Sequence, residues 1–328
     1  MTLSVIIPTF QRPAELLRNL SRLQQQTCGQ YEIIVVDNAA DTSLEVRIRQ
    51  FNRTALAPAM YLAEPRLGLH YARHAGARLA SGDVLVFTDD DATASPGWLA
   101  AYGEAFRMYP DMAAAGGPVL PIWGQPPPNW LLVFMQGKKQ FPILSLMNFG
   151  HEFRLDRDQI FVGTNMAVRR HILFEVGGFN PEAFGDVWLG DGESGLRAKL
   201  ADVNQLVGYV PDAVINHHIE ADRMSVDYIW RRMANEGGCE LYTRFHTAPA
   251  DRLSIANYAF SLAVKNVLFW ALALLRRGQV DPLSLRIQGR AARTLRQVAL
   301  ALRLLHDAQY LRLIRKQDWL NGDPSSLP

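Results

Sequence analysis

The segment Val84-Leu85-Val86-Phe87-Thr88-Asp89-Asp90-Asp91 decides the fold, because four apolar residues in it lead almost directly into three acidic ones. A short, continuous apolar run is typical of a strand that is buried on both faces of a sheet. Three adjacent carboxylates repel one another, so they require a cation or several hydrogen-bond donors nearby. The segment therefore predicts a buried strand whose carboxyl end lies at a charged site.

Earlier in the chain, two more apolar runs alternate with helical patterns. The runs are Leu3 to Ile7 and Ile33 to Val36, and Ala14 to Gln26 between them has its leucines on one helical face. Ala72 to Ala80 is a second helix candidate, placed shortly before the strand at Val84. Short strands that alternate with helices indicate an α/β fold with a doubly wound, mostly parallel sheet.

Polar residues follow each of the three strands, namely Thr9, Asp37 and the acidic triplet. Ligands of doubly wound sheets bind beyond the carboxyl ends of the strands, so these residues are expected on one rim. Mg²⁺ and Mn²⁺ take oxygen ligands and bridge to substrate phosphates through one or two carboxylates. The triplet thus predicts a divalent metal, and the alternative is an acidic turn that caps a helix near Ser95-Pro96.

Composition describes an ordinary globular protein of 328 residues, with 48% hydrophobic and 20% charged residues. This balance excludes a disordered chain and a polytopic membrane protein. Cys28 and Cys239 are the only cysteines and form no CxxC pair, which favours free thiols in a reducing compartment. The N-terminus lacks the basic region and cleavage site of a signal peptide, so we expect a cytoplasmic protein.

Five motifs, taken together, carry a family resemblance. They are Ser4-Val5-Ile6-Ile7-Pro8-Thr9-Phe10, Val35-Val36-Asp37-Asn38, Ala72-Arg73-His74-Ala75-Gly76, Phe87-Thr88-Asp89-Asp90-Asp91 and Gly163-Thr164-Asn165-Met166. In this order and spacing, residues 4 to 220 resemble the family 2 glycosyltransferases with a GT-A fold. The resemblance implies a nucleotide-sugar donor, a divalent metal (Mn²⁺ or Mg²⁺) and a glycan or lipid-linked acceptor.

The resemblance also implies roles on the donor side. Pro8, Thr9 and Phe10 are expected around the nucleotide base, with Asp37 accepting a hydrogen bond from it. Asp89 and Asp90 are expected near the ribose and sugar, and Arg73 near the diphosphate. The expected metal ligands are Asp91, Asp89 and His217, and Arg12 and Asn165 complete the donor-binding set. His74 departs from the family pattern, which usually has Asn at this place.

The acceptor side needs a base that takes the proton of the attacking hydroxyl. Two carboxylates, Asp191 and Glu193, lie in the glycine-rich segment Gly190 to Gly195, just before a predicted helix. We expect Glu193 to be the base and Asp191 to be the second candidate. The alternative is that both acids only cap the helix by accepting hydrogen bonds from its amides.

A predicted last strand of the domain, Val210 to His218, ends in two histidines. Alternation along a strand directs their side chains to opposite faces. We expect His217 to complete the metal shell, as the resemblance implies, and the alternative is a structural histidine. The following Arg223 has two open interpretations, a phosphate ligand or the partner of an acidic neighbour.

Helical patterns replace the alternation of strands and helices after about residue 250. We therefore predict a catalytic domain over residues 1–250, divided into a nucleotide-sugar-binding half (1–112) and an acceptor-side half (113–250), and a helical region over 251–328. Residues 255–275 are long and apolar enough to span a bilayer, but Asn257, Ser261 and Lys265 form a polar stripe. A helix lying in the membrane interface, or packed on the catalytic domain, fits the stripe better.

The next helical pattern is basic and amphipathic. Its apolar face is predicted to hold Ile287, Ala291, Leu295, Val298, Leu302 and Leu305, with Arg286, Arg290, Arg293, Arg296 and Arg303 roughly opposite. Such a helix attracts anionic lipid, which predicts a peripheral protein on the cytoplasmic face of a membrane. The alternative is an ordinary solvated face.

The sequence favours glycosyl transfer over several other functions. A nucleotidyltransferase or a dinucleotide-binding dehydrogenase would have a glycine-rich loop after the first strand, and Pro8 to Arg12 contains no glycine. Nucleic-acid binding is suggested only by the basic tail, and no recognisable module supports it, so no nucleic-acid partner is expected. A non-catalytic module that binds sugar nucleotides or glycans is the remaining alternative, although it would not need both acidic segments.

Overall fold

The computed structural model describes residues 1–181, 183–184, 187–188, 190–248 and 251–322. Its strands are β1 (Leu3–Thr9), β2 (Tyr31–Asp37), β3 (Ala59–Ala63), β4 (Val84–Phe87), β5 (Ala92–Ala94), β6 (Met112–Gly116), β7 (Val119–Trp123), β8 (Gln140–Phe141), β9 (Leu146–Met147), β10 (Arg154–Asp156), β11 (Met166–Arg169), β12 (Ala183–Phe184), β13 (Val187–Trp188), β14 (Leu206–Tyr209) and β15 (Ile215–Ile219). Its helices are α1 (Pro13–Leu23), α2 (Thr42–Phe51), α3 (Leu69–Leu79), α4 (Trp98–Met108), α5 (Asn129–Met135), α6 (Arg170–Glu175), α7 (Gly192–Asp202), α8 (Val226–Thr247), α9 (Arg252–Leu275), α10 (Pro282–His306) and α11 (Ala308–Arg315).

Within the described residues, the main sheet has eight strands in the order β10-β14-β6-β11-β4-β1-β2-β3. The strands β4, β1, β2 and β3 are parallel, whereas β11 runs antiparallel between β4 and β6. All residues of β1 and β4 are buried, as expected for strands with helices on both faces. The predicted α/β class with a mostly parallel sheet is confirmed.

A second sheet positions the end of the acidic triplet. Its strand order is β5-β15-β7-β9-β8, and β5 begins at Ala92, directly after Asp91. The antiparallel pairing of β5 with β15 sets His217 opposite Ala92. His217 is buried and His218 is only partly buried, so the two histidines lie on opposite faces as the alternation predicted.

The C-terminal helices form a layer that begins earlier than the sequence indicated. Helix α8 packs along α10, and α10 packs along α9, so the layer starts at Val226 and not at residue 251. A separate apolar cluster joins these helices, with Tyr242 and Phe245 from α8, Ile255 from α9 and Leu304 from α10. The sequence did not reveal this boundary, because the helical pattern of α8 follows directly after the last strand of the catalytic domain.

The predicted faces of α10 are partly wrong. Leu295 and Leu302, expected on the buried apolar face, are 49% and 47% exposed. Ala291 is buried as predicted, and Gly289 and Ala301 are buried in place of the two leucines, because α10 is flanked by both α8 and α9 and its contact surface is broad. Arg286 and Arg290 are exposed, so the helix does present basic residues to solvent.

The chain after α11 returns to the catalytic domain and fastens the helical layer to it. The backbone N–H of Trp319 donates to the Gly177 carbonyl at 2.9 Å, and Arg78 donates to the Leu320 carbonyl at 2.7 Å. Lys199 on α7 donates to the Gln317 carbonyl at 2.7 Å. Burial lowers the pKa of Lys199 to about 8.

The fold predicts opposite effects for two helical glycines. A Cβ at Gly76 on α3 would lie 2.5 Å from a methyl group of the buried Ile6, whereas one at Gly103 on α4 would meet nothing closer than 3.9 Å. Gly76→Ala should lower the free energy of unfolding by about 1–3 kcal/mol through overpacking. Gly103→Ala should raise it by roughly 0.5–1 kcal/mol by reducing the entropy of the unfolded chain. Urea unfolding of both variants tests this, and a stabilised Gly76→Ala would contradict the packing described here.

Candidate active site

The first carboxylate of the triplet is bound to groups from three other segments. One oxygen of Asp89 lies 3.4 Å from the guanidinium of Arg73, and the other accepts a 2.5 Å hydrogen bond from the hydroxyl of Thr164. The Asp89 carbonyl accepts a bond from the side-chain amide of Asn19 at 2.9 Å. These contacts join β4 to α1, α3 and the segment before β11.

The second carboxylate is buried and has a raised pKa. Asp90 accepts a 2.8 Å hydrogen bond from Thr9 and a 3.3 Å bond from Arg12, and it is buried. Burial, followed by the charge of Asp91, raises the pKa of Asp90 to about 6. Thr9 and Arg12 oppose this rise. The end of β1 therefore binds the carboxylate that follows β4, because the two strands are parallel neighbours.

The third carboxylate has the most cationic surroundings. One oxygen of Asp91 accepts hydrogen bonds from Arg223 at 2.8 Å and from Arg12 at 3.1 Å. The other lies 3.4 Å from Nε2 of His217. Burial alone would raise the pKa of Asp91, but the positive charges of Arg223 and Arg12 hold it well below its usual range. Asp91 is thus held in its ionised form.

The pair Asp91 and His217 has the chemistry of a metal site. Nδ1 of His217 lies 3.0 Å from the Leu144 carbonyl, which can only accept, so Nδ1 carries the hydrogen. Nε2 then presents a lone pair, which now accepts a bond from Arg223 at 3.0 Å. A histidine fixed in this way by a backbone carbonyl is the usual arrangement of a metal ligand.

Within the described ranges, no group of three or more His, Cys, Asp or Glu side chains is placed to hold a metal. Asp91 and His217 would supply ligands to a metal, with phosphate oxygens and water beside them, as is usual for Mg²⁺. Asp89 was expected as a third ligand. In this structure its carboxylate binds Arg73 and Thr164, and its role as a metal ligand stays a prediction.

Glu193 lies in the first turn of α7, on the other side of Arg73. Its carboxylate accepts a 2.5 Å hydrogen bond from Arg73, and its side chain is 25% exposed. Burial would raise the pKa of Glu193, but the charge and the hydrogen bond of Arg73, together with the other groups around the carboxylate, lower it to about 2. Arg73, which is 1% exposed, thus connects Asp89 to Glu193. An ionised carboxylate at the wall of a cleft has the reach and the protonation state of a general base.

Asp191, the second base candidate, is more enclosed. Its two oxygens accept hydrogen bonds from Asn180 at 2.9 Å and from Thr243 on α8 at 2.7 Å. Burial raises the pKa of Asp191 against these bonds. It makes no side-chain capping bond to α7, so the capping interpretation does not hold for it. Asp191 joins the start of α7 to α8, and the geometry favours Glu193 as the base.

The expectation that Asn165 binds the donor is wrong. The side chain is fully buried, its oxygen accepts bonds from Trp98 at 2.8 Å and Tyr102 at 2.7 Å, and its NH₂ group donates to two backbone carbonyls, of Pro118 and Ala213. An amide has two acceptor and two donor positions, and all four are used inside the protein. Asn165 holds the two sheets together.

The role of Asp37 as an acceptor for the nucleotide base stays a prediction. Its carboxylate is fully buried and accepts hydrogen bonds from the backbone of Ala39 and Asp41 and from the hydroxyl of Tyr61. Asn38, the next residue, lines the cleft. His74 is also internal, because its Nε2 accepts a 2.9 Å bond from the backbone of Phe179, and burial lowers its pKa well below the usual value.

These side chains surround one cleft of about 790 Å³ at the rim of the main sheet. From the predicted donor set, Pro8, Thr9, Phe10, Arg12, Arg73, Asp89 and Asp90 line it, together with Asp91, His217, Asp191 and Glu193. Such a volume is typical of a small-molecule site. The single cleft brings the metal pair and the base candidate together.

Three contributors were missed or left undecided by sequence reasoning. Thr164 was quoted only as part of a motif, although its hydroxyl binds Asp89. Arg223 had two interpretations, and the structure pairs it with Asp91. His70, one turn before Arg73 on α3, lines the cleft and stacks on Phe179 at 5.0 Å. The spacing of His70 and Arg73 on one helical face was the signal that pointed to it.

Solved structures agree with this architecture. A mannosyltransferase from Pyrobaculum calidifontis, PcManGT, in complex with GDP-Man and Mn²⁺, aligns over 90% of this chain and 86% of its own, with a TM-score of 0.56 and 18% identity. GalNAc-T7 with UDP, GalNAc and Mn²⁺ aligns over 71% of this chain and 47% of its own, with a TM-score of 0.53 and 18% identity. The chain therefore has the GT-A fold.

Sequence comparison leads to the same group of enzymes. The glucosyl-dolichyl phosphate glucuronosyltransferase of Haloferax volcanii is 24% identical over 234 residues, which are 70% of this chain and 73% of that protein. The family model described as "Glycosyl transferase family 2" matches residues 4–177 and includes β1, β2, α3 and the acidic triplet. With this match over half of its length, and with its charged cleft at the rim of a GT-A sheet, the chain belongs to glycosyl transferase family 2, whose members are glycosyltransferases.

Proposed function

We propose that this glycosyltransferase binds its nucleotide-sugar donor through a divalent metal on Asp91 and His217 and activates the acceptor hydroxyl with Glu193, with inversion at the anomeric carbon. One observation carries the proposal. A single cleft contains an ionised carboxylate beside a lone-pair nitrogen, at 3.4 Å, and a second ionised carboxylate held by Arg73. The first pair suits a metal-bound diphosphate, and the second carboxylate suits proton abstraction.

On the donor side, the residues at the end of β1 would enclose the nucleoside. Pro8, Thr9 and Phe10 line the cleft, and the ring of Phe10 is 44% exposed and so available for contact with a base. Arg12 and Arg223 lie on Asp91 and would be free to contact phosphate oxygens once a metal replaces them there. A bound Mn²⁺ or Mg²⁺ neutralises the negative charge that develops on a departing diphosphate.

On the acceptor side, Glu193 would take the proton of the acceptor hydroxyl. The oxygen of that hydroxyl forms a bond to the anomeric carbon, and the bond from this carbon to the diphosphate breaks, with its electron pair leaving on the diphosphate. Arg73 keeps Glu193 ionised and fixes its position through the 2.5 Å hydrogen bond. Attack opposite to the leaving group inverts the anomeric configuration.

The acceptor would be a glycan or a lipid-linked sugar, used at the cytoplasmic face of a membrane. The dolichyl phosphate in the name of the Haloferax volcanii relative supports a lipid-linked acceptor. The described chain also has one helix, α9, that is long and apolar enough to cross a membrane by length and composition. Together these features support a peripheral enzyme of polysaccharide or glycoconjugate biosynthesis.

Removal of Asp91 should abolish metal-dependent donor binding. Calorimetry with UDP-, GDP- and dTDP-sugars, with and without Mn²⁺, should find one donor that binds more tightly with the metal. Asp91→Ala should weaken this binding at least about tenfold, because even the loss of an outer-shell partner of a metal costs roughly 10–100-fold in affinity. Asp202→Ala, at an exposed acid of α7, is the matched control and should bind as the wild type does. Equal donor affinity with and without Mn²⁺ would refute the metal assignment.

Glu193→Gln should lower kcat by about 10²–10⁴-fold, the usual contribution of a general base, and leave donor affinity within about threefold of wild type. Asp191→Asn is the informative comparison, because Asp191 is bonded to Asn180 and Thr243 and should affect stability more than kcat. Initial rates of nucleoside diphosphate release, with calorimetry for the donor, separate the two effects. A Glu193→Gln enzyme with wild-type kcat would exclude Glu193 as the base.

A further inference from the structure

Helix α9 presents a continuous apolar face to solvent. Its most exposed large apolar side chains are Leu253 (68%), Phe260 (74%), Val264 (58%), Val267 (70%), Leu268 (59%), Leu274 (63%) and Leu275 (80%). Their spacing of three, four or seven residues puts them on one side of the helix. Isolated apolar residues on a surface are common, but a stripe along a 24-residue helix marks an interaction surface.

The opposite side of α9 is fixed to the protein. Ile255, Ala259, Leu262, Asn266 and Ala273 are its buried residues. The side-chain NH₂ of Asn266 donates to the Ala291 carbonyl at 2.7 Å and to the hydroxyl of Thr294 at 2.8 Å, both on α10. The exposed stripe is therefore held in a defined orientation by α10.

The attachment to α10 also decides how α9 could meet a bilayer. Helix α10 contains five arginines and lies along α9, so a spanning α9 would draw those charges into the hydrocarbon. A helix lying in the plane of the interface avoids this cost, because only one side of it enters the apolar layer. The stripe Asn257, Ser261 and Lys265 is exposed at the edge of the apolar face, where it would meet head groups.

The positive charge of α9 and α10 indicates that the bilayer is anionic. From Arg252 to His306 the chain carries nine Arg and Lys residues and a single acid, Asp281. Arg277, Arg286 and Arg290 are exposed. Basic residues near a membrane surface each contribute attraction to anionic lipid. The apolar stripe with this basic surround is complementary to an anionic lipid surface and not to a neutral protein groove.

The start of α9 lines a second cavity that lies beside the active-site cleft. This cavity of about 900 Å³ lies between α7, α8 and the start of α9, where Asp251 and Ser254 line it. Ser194, Arg197, Glu236 and Cys239 line both this cavity and the active-site cleft, so the two are adjacent. Ser194 follows Glu193 directly, which puts the second cavity on the side of the proposed base.

We propose that the exposed face of α9 docks in the plane of an anionic lipid bilayer and that the second cavity leads from that surface to Glu193. The docking itself is independent of the chemistry, whereas the use of the cavity by a lipid-linked acceptor rests on the proposed function. In this arrangement the catalytic domain stays in water, and an acceptor anchored in the bilayer reaches the base along α7 and α8.

Vesicle co-sedimentation tests the docking face. The full chain is mixed with phosphatidylcholine vesicles, and with vesicles that contain phosphatidylglycerol in addition. Wild type should bind the anionic vesicles strongly and the neutral ones weakly. The double variant Phe260→Asp, Val267→Asp should bind anionic vesicles at least about tenfold more weakly, because two apolar side chains no longer enter the interface.

The double variant Leu56→Asp, Met108→Asp is the matched control, since it adds the same charge at two exposed apolar positions of the catalytic domain, 88% and 57% exposed. It should bind as wild type does. Equal binding of the two double variants, or equal binding of wild type to both kinds of vesicle, would overturn the proposal.

A second copy of the chain is the competing occupant of this face. Sedimentation velocity without lipid should show the same state for wild type and for Phe260→Asp, Val267→Asp, and a dimer lost in the variant would overturn the bilayer assignment. Donor calorimetry on the same samples distinguishes the two proposals. Lost vesicle binding with retained donor affinity supports docking, whereas absent donor binding in a wild type that binds vesicles refutes only the proposed function.

Discussion

The site depends on one constraint. The negative charges of the three adjacent carboxylates at the end of β4 must be offset by neighbouring donors and cations. Each is compensated from a different part of the chain, Asp89 by Arg73, Asp90 by Thr9 and Asp91 by Arg223. Burial and the neighbouring charge of Asp91 raise the pKa of Asp90, whereas the charges of Arg223 and Arg12 hold the pKa of Asp91 below its usual range. The neighbours divide the triplet into a protonatable centre and an ionised end that can bind a cation.

The fold supplies these partners through the pairing of strands. Parallel neighbours of β4 end at the same rim, which brings Thr9 to Asp90, and the second sheet begins directly after the triplet and carries His217 to Asp91. Asn165 binds two carbonyls that lead into the second sheet, those of Pro118 and Ala213, and its other two hydrogen bonds come from α4, so a buried amide joins the two sheets. A rigid cleft of this kind holds charged groups in place before a ligand arrives, and this preorganisation is what electrostatic catalysis requires.

Local sequence predicted the elements whose pattern is local. The strands at Leu3 and Val84, the helix before β2 and the rim position of the triplet follow from apolar runs and helical spacing. Contacts between distant segments were not predictable in this way. The motif around Asn165 looked like a sugar-binding segment, but its amide faces Trp98 and Tyr102, which lie more than sixty residues away. The buried face of α10 differs from the predicted one because two helices contact it, whereas the apolar periodicity of a sequence indicates only one buried side.

The proposed donor site depends most on Asp91 and His217 binding the same metal ion. Electron spin-echo spectroscopy on the protein with Mn²⁺ and the nucleoside diphosphate of its donor detects nitrogen bound directly to the metal. We expect modulation from one histidine nitrogen, and its loss in His217→Gln. Mn²⁺ bound without a nitrogen ligand, or a nitrogen signal that persists in His217→Gln, would contradict it.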